Sequence, residues 1–330
     1  MAGYNPQFFT DCKLSLPRLS TAQKKQRAPL LSSKAKRYEL AYTHFSIVLN
    51  KERRFAFFTA SNIDGKAWKA LVEQGEDFSP EGRIAPAHQT GNELYNLHGG
   101  PGKNDFDKGH IVKFQDPQWG KDADIRLAAS DTMHFANCVP QHQSLNRGAW
   151  KSLEDYIVKK FTKKTGVDGQ KISVFAGPAL LADDPFYIDK VQGRAFQIPV
   201  HFWKVIVYKS KDGVYSAVAF LMSQKNILLQ HKFVVETIEG TAETRAAQKA
   251  PAADFFTDFT KGEPYQVRVD FIEKITGLKF GLAHLRQPYT KQEPTEIIFK
   301  RVEIPVTDAQ PESMALKDRS LPFTFDGIAL

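Results

Sequence analysis

The tightest constraint on this chain is a short series of polar residues with a fixed spacing. Residues 107–110 read Asp-Lys-Gly-His, Asn137 and Asn146 follow nine residues apart, and Glu154 comes eight residues later. Together they offer one imidazole, two amides and one carboxylate, with a lysine close to the imidazole. Such groups can serve as a general base, as oxygen ligands for one hard metal ion, and as a cation for a bound anion. To use them together, the fold has to bring three separate segments to one point.

A longer pattern surrounds these residues. It consists of residues 106–112 (FDKGHIV), 131–141 (DTMHFANCVPQ) and 146–154 (NRGAWKSLE). In order and spacing these segments resemble the DNA/RNA non-specific endonucleases, a sugar-non-specific family of ββα-metal (His-Me finger) nucleases. The hallmark of that family is Asp-Arg-Gly-His, then Asn-x-x-Pro-Gln, then Asn-x-Gly-x-Trp-x-x-Leu-Glu. The resemblance covers residues 38–285, and it includes the outer segments 54–65 (RFAFFTASNIDG), 173–178 (SVFAGP) and 198–207 (IPVHFWKVIV).

The resemblance implies a fold and an activity. The expected fold is α+β, with an antiparallel β-sheet core flanked by helices and a ββα-metal active site. The expected activity is Mg²⁺-dependent hydrolysis of phosphodiester bonds in DNA and/or RNA, without preference for sequence or sugar, and Mn²⁺ or another divalent ion can substitute. Asn146 would be the one direct protein ligand of the metal. At the position of the family's arginine this chain has Lys108, which keeps the charge but not the planar two-pronged contact to a phosphate.

The residues themselves suggest individual roles. With an ordinary pKa near 6.5, His110 can be neutral at physiological pH and accept a proton from an attacking water. Lys108 lies two residues away and, on a strand, shares a face with His110, so it can contact the same phosphate. Asn137 would either hydrogen-bond the phosphate or help to fix the histidine. Asp107 is expected to fix its loop through backbone hydrogen bonds.

A helix is predicted over residues 146–165 from apolar residues that recur at a period near 3.6, with Asn146 near its N-cap. Eight residues of helix rise by about 12 Å, so two short side chains so placed do not share one ion. Asn146 is therefore the better direct ligand, and Glu154 reaches the ion's water shell or orients a neighbour. Arg126 and Arg147 are candidate phosphate contacts or plain surface charges.

Composition agrees with a polyanionic partner. The chain has 330 residues and 25 phenylalanines, enough for a sizeable aromatic core. Its net charge is +8 and its isoelectric point about 9.2. A basic surface of this kind favours nucleic acid, here DNA and/or RNA.

Three parts of the chain are expected. Residues 1–37 form a basic, proline-broken extension outside the core, which is interpreted as a solvated linker, a nucleic-acid-binding arm or a regulatory segment. Residues 38–285 form the endonuclease domain, and residues 286–330 form a C-terminal extension. The local patterns predict a strand hairpin at 44–50 and 54–60, strands at 171–176, 200–208, 215–222 and 296–299, a helix at 271–278, and a long surface loop at 76–103 near the site.

The expected setting is cytoplasmic. The two cysteines, Cys12 and Cys138, imply no disulfide framework, and Cys138 is expected in the core. No apolar run long enough to span a membrane occurs, and the first residues lack a secretory pattern, although organelle import or specialised export stays open. The expected partners are a second copy of the chain, and an inhibitor or processing protease, since a broad nuclease endangers its own cell.

Two rival functions follow from the same residues. One is a metal-dependent phosphodiesterase that acts on a non-nucleic substrate, and the other is a catalytically weak relative that binds nucleic acid. The basic charge argues against the first rival. The presence of both His110 and Asn146 argues against the second.

Overall fold

The structure is a computed structural model. It describes residues 3–32, 37–71, 77–95, 106–161, 169–188, 194–236, 264–296, 298–301, 323–326 and 328–329. None of the helices in these ranges has the length and apolar content needed to cross a bilayer.

An antiparallel sheet of eight strands lies at the centre of the described chain. Its spatial order is β1-β2-β3-β6-β9-β10-β11-β12. The strands are β1 (Leu40–Tyr42), β2 (Phe45–Leu49), β3 (Ala56–Asp64), β6 (Lys171–Ala179), β9 (His201–Lys209), β10 (Tyr215–Ser223), β11 (Pro264–Val267) and β12 (Thr295–Glu296). The predicted α+β class and antiparallel core are confirmed.

The central strands are buried on both faces, which is why they read as nearly continuous apolar runs. In β9, Phe202 and Ile206 belong to one hydrophobic cluster, whereas Trp203 and Val205 belong to a second. Because successive side chains of a strand point to opposite faces, the two clusters cover the two sides of the sheet. Lys204 lies on the same face as Phe202 and Ile206, and it is a buried charge in this apolar setting.

Helices and smaller strand pairs surround the sheet. The helices are α1 (Thr21–Lys25), α2 (Asp122–Asp131), α3 (Trp150–Phe161), α4 (Lys225–Gln230) and α5 (Val269–Thr276). The two-stranded pairs are β4 (Asp107–His110) with β5 (Cys138–Gln141), β7 (Phe186–Ile188) with β8 (Ala195–Gln197), and β13 (Ile298–Arg301) with β14 (Phe323–Asp326). The pair β4–β5 and helix α3 follow one another in the order expected for a ββα site.

Several predicted elements are confirmed. The hairpin is present as β2 and β3, and the three central strands β6, β9 and β10 lie at the predicted positions, with ends one to three residues further along. The short helix α5 ends at Gly277, which has a left-handed backbone (φ 70°) that glycine adopts without a steric cost. The predicted strand at 296–299 is divided between β12, which pairs with β11, and β13. The predicted end of the long helix at residue 165 lies outside the described residues.

The N-terminal segment is part of the core, contrary to expectation. Tyr4, Phe9, Leu14 and Leu19 are buried in the second hydrophobic cluster. Arg18 exchanges two backbone hydrogen bonds with Lys279, of 2.9 and 3.0 Å. The prolines of this segment do rule out long helices, but they leave an extended chain whose aromatic side chains pack on the sheet. The expectation that it lies outside the core is therefore wrong for residues 3–32.

The long loop predicted at 76–103 is described only up to Tyr95 and is not simply a surface loop. Leu94 and Tyr95 are buried in the first hydrophobic cluster, as is Phe78. Two single-turn helices, Pro86–His88 and Asn92–Leu94, interrupt it. Its first described residues, Asp77 and Phe78, contact Lys108 and His110. The prediction that this loop lies near the site is therefore confirmed.

Candidate active site

Strand β4 carries the histidine and lysine of the motif, and its register against β5 fixes their positions. Gly109 faces Val139 and His110 faces Cys138. A β-carbon on Gly109 would lie 2.2 Å from Oε1 of Gln141, a side chain that is itself buried. A side chain at this position would clash with Gln141, so packing favours glycine between Lys108 and His110. As expected, Cys138 belongs to the core, where burial raises the pKa of its thiol to about 12.

The imidazole of His110 is held in a largely apolar pocket. Its Nε2 lies 3.3 Å from the sulfur of Met133, and its ring centroid is 4.7 Å from that of Phe78. Burial, followed by the positive charges of Lys204 and Lys113, lowers the pKa of His110 to about 4. The ring is consequently neutral at physiological pH, as a base has to be.

Asn137 is fully buried and fixes the residues that follow His110. Its Oδ1 accepts a hydrogen bond from the backbone N–H of Val112 (2.9 Å), and its Nδ2 donates to the carbonyls of Val112 (2.9 Å) and Thr132 (3.0 Å). Its own carbonyl accepts from the N–H of Ile111 at 3.0 Å. Of the two roles expected for Asn137, this geometry fits the fixing of the histidine, because both amide protons are bonded to backbone.

Asn146 lies in a π-helical turn and not at a helix N-cap. The turn runs over Leu145–Ala149 and is kinked at Gly148 (φ −104°, ψ −117°) before α3 begins at Trp150. The N-cap expectation is therefore wrong. The physical reason is that Gly148 permits a bend that an uninterrupted helix would not have.

Asp107 holds the side chains of the π turn that contains Asn146. Its Oδ2 accepts a hydrogen bond from Nδ2 of Asn146 at 3.1 Å. Arg147 approaches the same carboxylate with Nε (2.8 Å) and a terminal nitrogen (2.7 Å), which makes a two-pronged ion pair. The expectation that Asp107 acts through backbone bonds is wrong, since its carboxylate joins β4 to the π turn. The side chain of Arg147 is 69% exposed, yet its guanidinium is engaged, so its contact with a phosphate remains a prediction.

Glu154 forms a buried ion pair with a lysine that the sequence reasoning missed. Its Oε1 is 3.0 Å from Nζ of Lys204, and the two side chains are 11% and 2% exposed. The same ammonium donates to the carbonyl of Ile111 at 3.1 Å, directly after His110. It also lies 5.3 Å from the ring centre of Trp150. The only signal in the sequence was one lysine inside an apolar strand, HFWKVIV.

Further charged side chains lie near this ion pair. Lys113 is ion-paired with Asp155, which also pairs with Lys151 at 2.6 Å. Asp116 is buried, and burial raises the pKa of its carboxyl to about 6 against the opposing effect of Lys204. Removal of one partner from a buried ion pair leaves an uncompensated charge, so Glu154 and Lys204 depend on each other.

Lys108 and Arg126 differ in their relation to the site. The ammonium of Lys108 lies 3.5 Å from Oδ1 of the exposed Asp77, and its side chain is 22% exposed. It is thus accessible and loosely paired. Arg126 is exposed on α2, with Asp122 as its charged neighbour, and no contact among the described residues joins it to His110 or Asn146.

The donor atoms fit a weakly held hard ion. Among the residues that the structure describes, no group of three or more His, Cys, Asp or Glu side chains is arranged to hold a metal. With Nδ2 of Asn146 bonded to Asp107, the atom that its amide can offer is Oδ1. A single neutral oxygen suits Mg²⁺, because this ion usually keeps several bound waters and is also coordinated by phosphate oxygens of a substrate.

Comparison with known proteins places these residues in a family. The sequence model described as "DNA/RNA non-specific endonuclease" matches residues 25–286, so the match begins inside the expected N-terminal extension. An uncharacterized protein of Sinorhizobium fredii, y4fB, is 34% identical over 283 residues, which cover 84% of this chain and 39% of that protein. A nuclease of Serratia marcescens is 32% identical over 93 residues, or 28% of this chain and 32% of that protein. The matches therefore cover well under half of the length of both relatives.

Among solved structures, one described as the crystal structure of the EndoG/EndoGI complex matches with a TM-score of 0.48 and 19% identity. The match covers 74% of this chain and 85% of that chain. Because the family model matches most of the sequence, the chain belongs to the DNA/RNA non-specific endonuclease family.

Proposed function

We propose that this protein is a Mg²⁺-dependent endonuclease that hydrolyses phosphodiester bonds in DNA and/or RNA without preference for sequence or sugar. The observation that carries the proposal is the bond of 3.1 Å between Asp107 and Asn146. It ties the candidate metal ligand to the strand that presents His110 three residues later. A base and a hard oxygen ligand held by one strand are what metal-assisted hydrolysis requires.

His110 is the general base in this proposal. A thioether can accept a weak hydrogen bond but has no proton to donate. The approach of Nε2 to the sulfur of Met133 therefore suits the tautomer that carries its proton on Nε2. The lone pair is then on Nδ1, which accepts the proton of the attacking water. Asn137 keeps the following residues, and with them the ring, in place.

Asn146 and Glu154 serve the metal side of the reaction. When bound, the divalent ion would stabilise charge on the leaving oxygen and on the phosphate. Asn146 would hold that ion through Oδ1, and Asp107 orients the amide. Glu154, which is held by Lys204, would reach the ion's water shell or orient a neighbouring side chain. Lys108 contacts the phosphate as a positive charge.

The partners and the setting are proposals as well. Nucleic acid is the substrate partner, and a second copy of the chain, an inhibitor or a processing protease are the proposed protein partners. We also propose a cytoplasmic setting, which the two free cysteines support.

Incubation with plasmid DNA and with total RNA tests the proposal directly. Cleavage of either polymer in Mg²⁺, its loss on chelation, and its loss in His110→Ala are the expected results. Hydrolysis of small phosphodiesters without any cleavage of polymers would favour the non-nucleic phosphodiesterase. Tight binding of polymers without cleavage in any divalent ion would favour the silent relative.

A further inference from the structure

An arginine outside the candidate active site has an unusual combination of properties. Arg54 lies between β2 and β3 with a left-handed backbone (φ 62°), a conformation that is unfavourable for a long side chain. Its guanidinium is partly buried, with its central carbon 4.6 Å from the ring centre of Phe196. Among the residues that the structure describes, none accepts a hydrogen bond from its side chain or forms an ion pair with it. Partly buried arginines normally have such partners.

A second guanidinium lies against the same ring. The central carbon of Arg194 is 5.6 Å from the ring centre of Phe196. Burial and the charge of Arg194 lower the pKa of Arg54, while the charge of Glu93 opposes this effect. Two cations on one ring repel each other, and an anion placed between them would relieve the repulsion.

Arg54 and Phe196 border a cavity that has room for such an anion, and Arg194 directly precedes Ala195, which also lines it. The cavity has a volume of about 550 Å³ and is lined by Arg54, Phe196, Gln197 and Gln26, among others. The neighbouring Arg53 is already neutralised, since its guanidinium lies 2.6 Å from Asp184. Among the described residues that line the cavity, Arg54 is therefore the cation without a carboxylate partner, while the one carboxylate of the lining, Glu52, accepts a hydrogen bond from Gln26.

Aromatic contacts join this cavity to the candidate active site. Phe196 pairs with Tyr187 across β7 and β8, and the ring centre of Tyr187 is 5.1 Å from that of Phe106. Phe106 directly precedes Asp107. The buried rings of Phe196, Tyr187 and Phe106 thus lie between the guanidinium of Arg54 and the strand that carries His110.

We propose that Arg54 and Arg194 form a phosphate-binding subsite that holds the nucleic-acid backbone away from the bond that is cut. The inference rests on the proposed function. Backbone phosphates supply affinity that does not depend on sequence, and they set the register of the strand. Only a substrate long enough to span both places benefits from such a subsite.

The test compares a long oligonucleotide with the small diester bis(p-nitrophenyl) phosphate. In Arg54→Met we expect kcat/KM on the oligonucleotide to fall by roughly ten- to a hundredfold, as for a lost charged contact. Hydrolysis of the small diester should not change. Arg54→Lys should keep much of the activity, and Arg194→Met should show the same substrate dependence as Arg54→Met. Arg286→Met is the matched control, because Arg286 is exposed and paired with Asp212 at 2.6 Å.

Binding without cleavage separates this inference from the proposed function. In the His110→Ala background with a chelator, Arg54→Met should weaken oligonucleotide binding and reduce the slope of log affinity against log salt by about one. Arg54→Asn removes the same charge with a residue that tolerates the left-handed backbone, which guards against misfolding. Equal losses on both substrates, or unchanged binding and salt slope, would overturn the subsite. A wild type that binds nucleic acid but never cleaves it would overturn the proposed function alone.

Discussion

The ammonium of Lys204 lies 3.0 Å from Oε1 of Glu154, and it also donates to the carbonyl of Ile111 at 3.1 Å. Through this one group, helix α3 is joined to the chain directly after His110. The proposed base and the proposed metal side of the site are thus held to each other by a buried charge on the central sheet.

We expect Lys204→Met to be strongly destabilising. It leaves the carboxylate of Glu154 buried without its partner, which typically lowers the free energy of unfolding by about 3–5 kcal/mol. Urea denaturation measures the loss. Lys209→Met on the same strand removes an exposed pair with Asp11 and should cost less than about 1 kcal/mol.

The double variant Lys204→Met/Glu154→Gln refines this test. It removes both charges and should recover part of the stability, but not the cleavage activity. An equal cost of Lys204→Met and Lys209→Met would show that the buried pair is not what holds the site together.

Replacement of the base should separate chemistry from binding. His110→Ala is expected to lower single-turnover cleavage by about a hundredfold or more, whereas nucleic-acid affinity survives on the intact basic surface. Quenched-flow cleavage and fluorescence anisotropy measure the two quantities. A parallel loss of affinity in a folded variant would remove His110 as the base.

The pH dependence should reflect the buried ring. Because burial lowers the pKa of His110 to about 4, the base is protonated, and therefore inactive, only below that pH. We expect kcat/KM to fall as the pH drops through about 4, not through the ordinary value near 6.5. Asp116→Asn is the control, since burial raises the pKa of Asp116 to about 6. An acidic limb near 6.5 that persists in this control would contradict the apolar setting of His110.

Metal affinity should depend on Asn146 and, through it, on Asp107. Asn146→Ala removes the proposed ligand, and Asp107→Asn weakens the contact that orients the ligand, so both should raise the Mg²⁺ concentration needed for half-maximal cleavage. A loss of about ten- to a hundredfold is typical when a residue that orients a ligand is replaced. Asp122→Asn disrupts an exposed pair with Lys69 and serves as the control. Identical Mg²⁺ titrations for Asn146→Ala and the wild type would exclude Asn146 as the ligand.

Lys108 should act on the rate more than on affinity. Loss of a charge that meets the phosphate in the transition state costs about 1.5–3 kcal/mol, or roughly ten- to a hundredfold in rate. Lys108→Ala should show this loss at saturating substrate, and Lys108→Arg should retain activity, because a guanidinium also suits phosphate oxygens. If Lys108→Ala cuts as fast as the wild type at saturation, Lys108 contributes only to the basic surface.

Local signals in the sequence predicted local structure well. Phenylalanine-rich strands around a short polar turn indicated the hairpin of β2 and β3, and Gly277 marked the end of α5. The motif spacing indicated which segments meet at the site. These features depend on neighbouring residues, so a single sequence contains the necessary information.

The errors concern contacts between distant segments. Lys204 was missed because its partner Glu154 lies on α3. Asp107 was expected to bond only to the backbone of its own loop, because its partners Asn146 and Arg147 lie on the π turn. Without a known partner surface, an extended segment rich in lysine reads as a linker. Such partners lie far apart in sequence, and their pairing follows from the tertiary fold.

The backbone bonds between Arg18 and Lys279 have a consequence for synthesis on the ribosome. Arg18 can make these bonds only when residues near 279 have emerged, because Lys279 supplies the carbonyl and the N–H that Arg18 needs. Closure of so long a loop is slow and comes late in folding. All residues of the motif have therefore been synthesised well before the core that surrounds them can be completed.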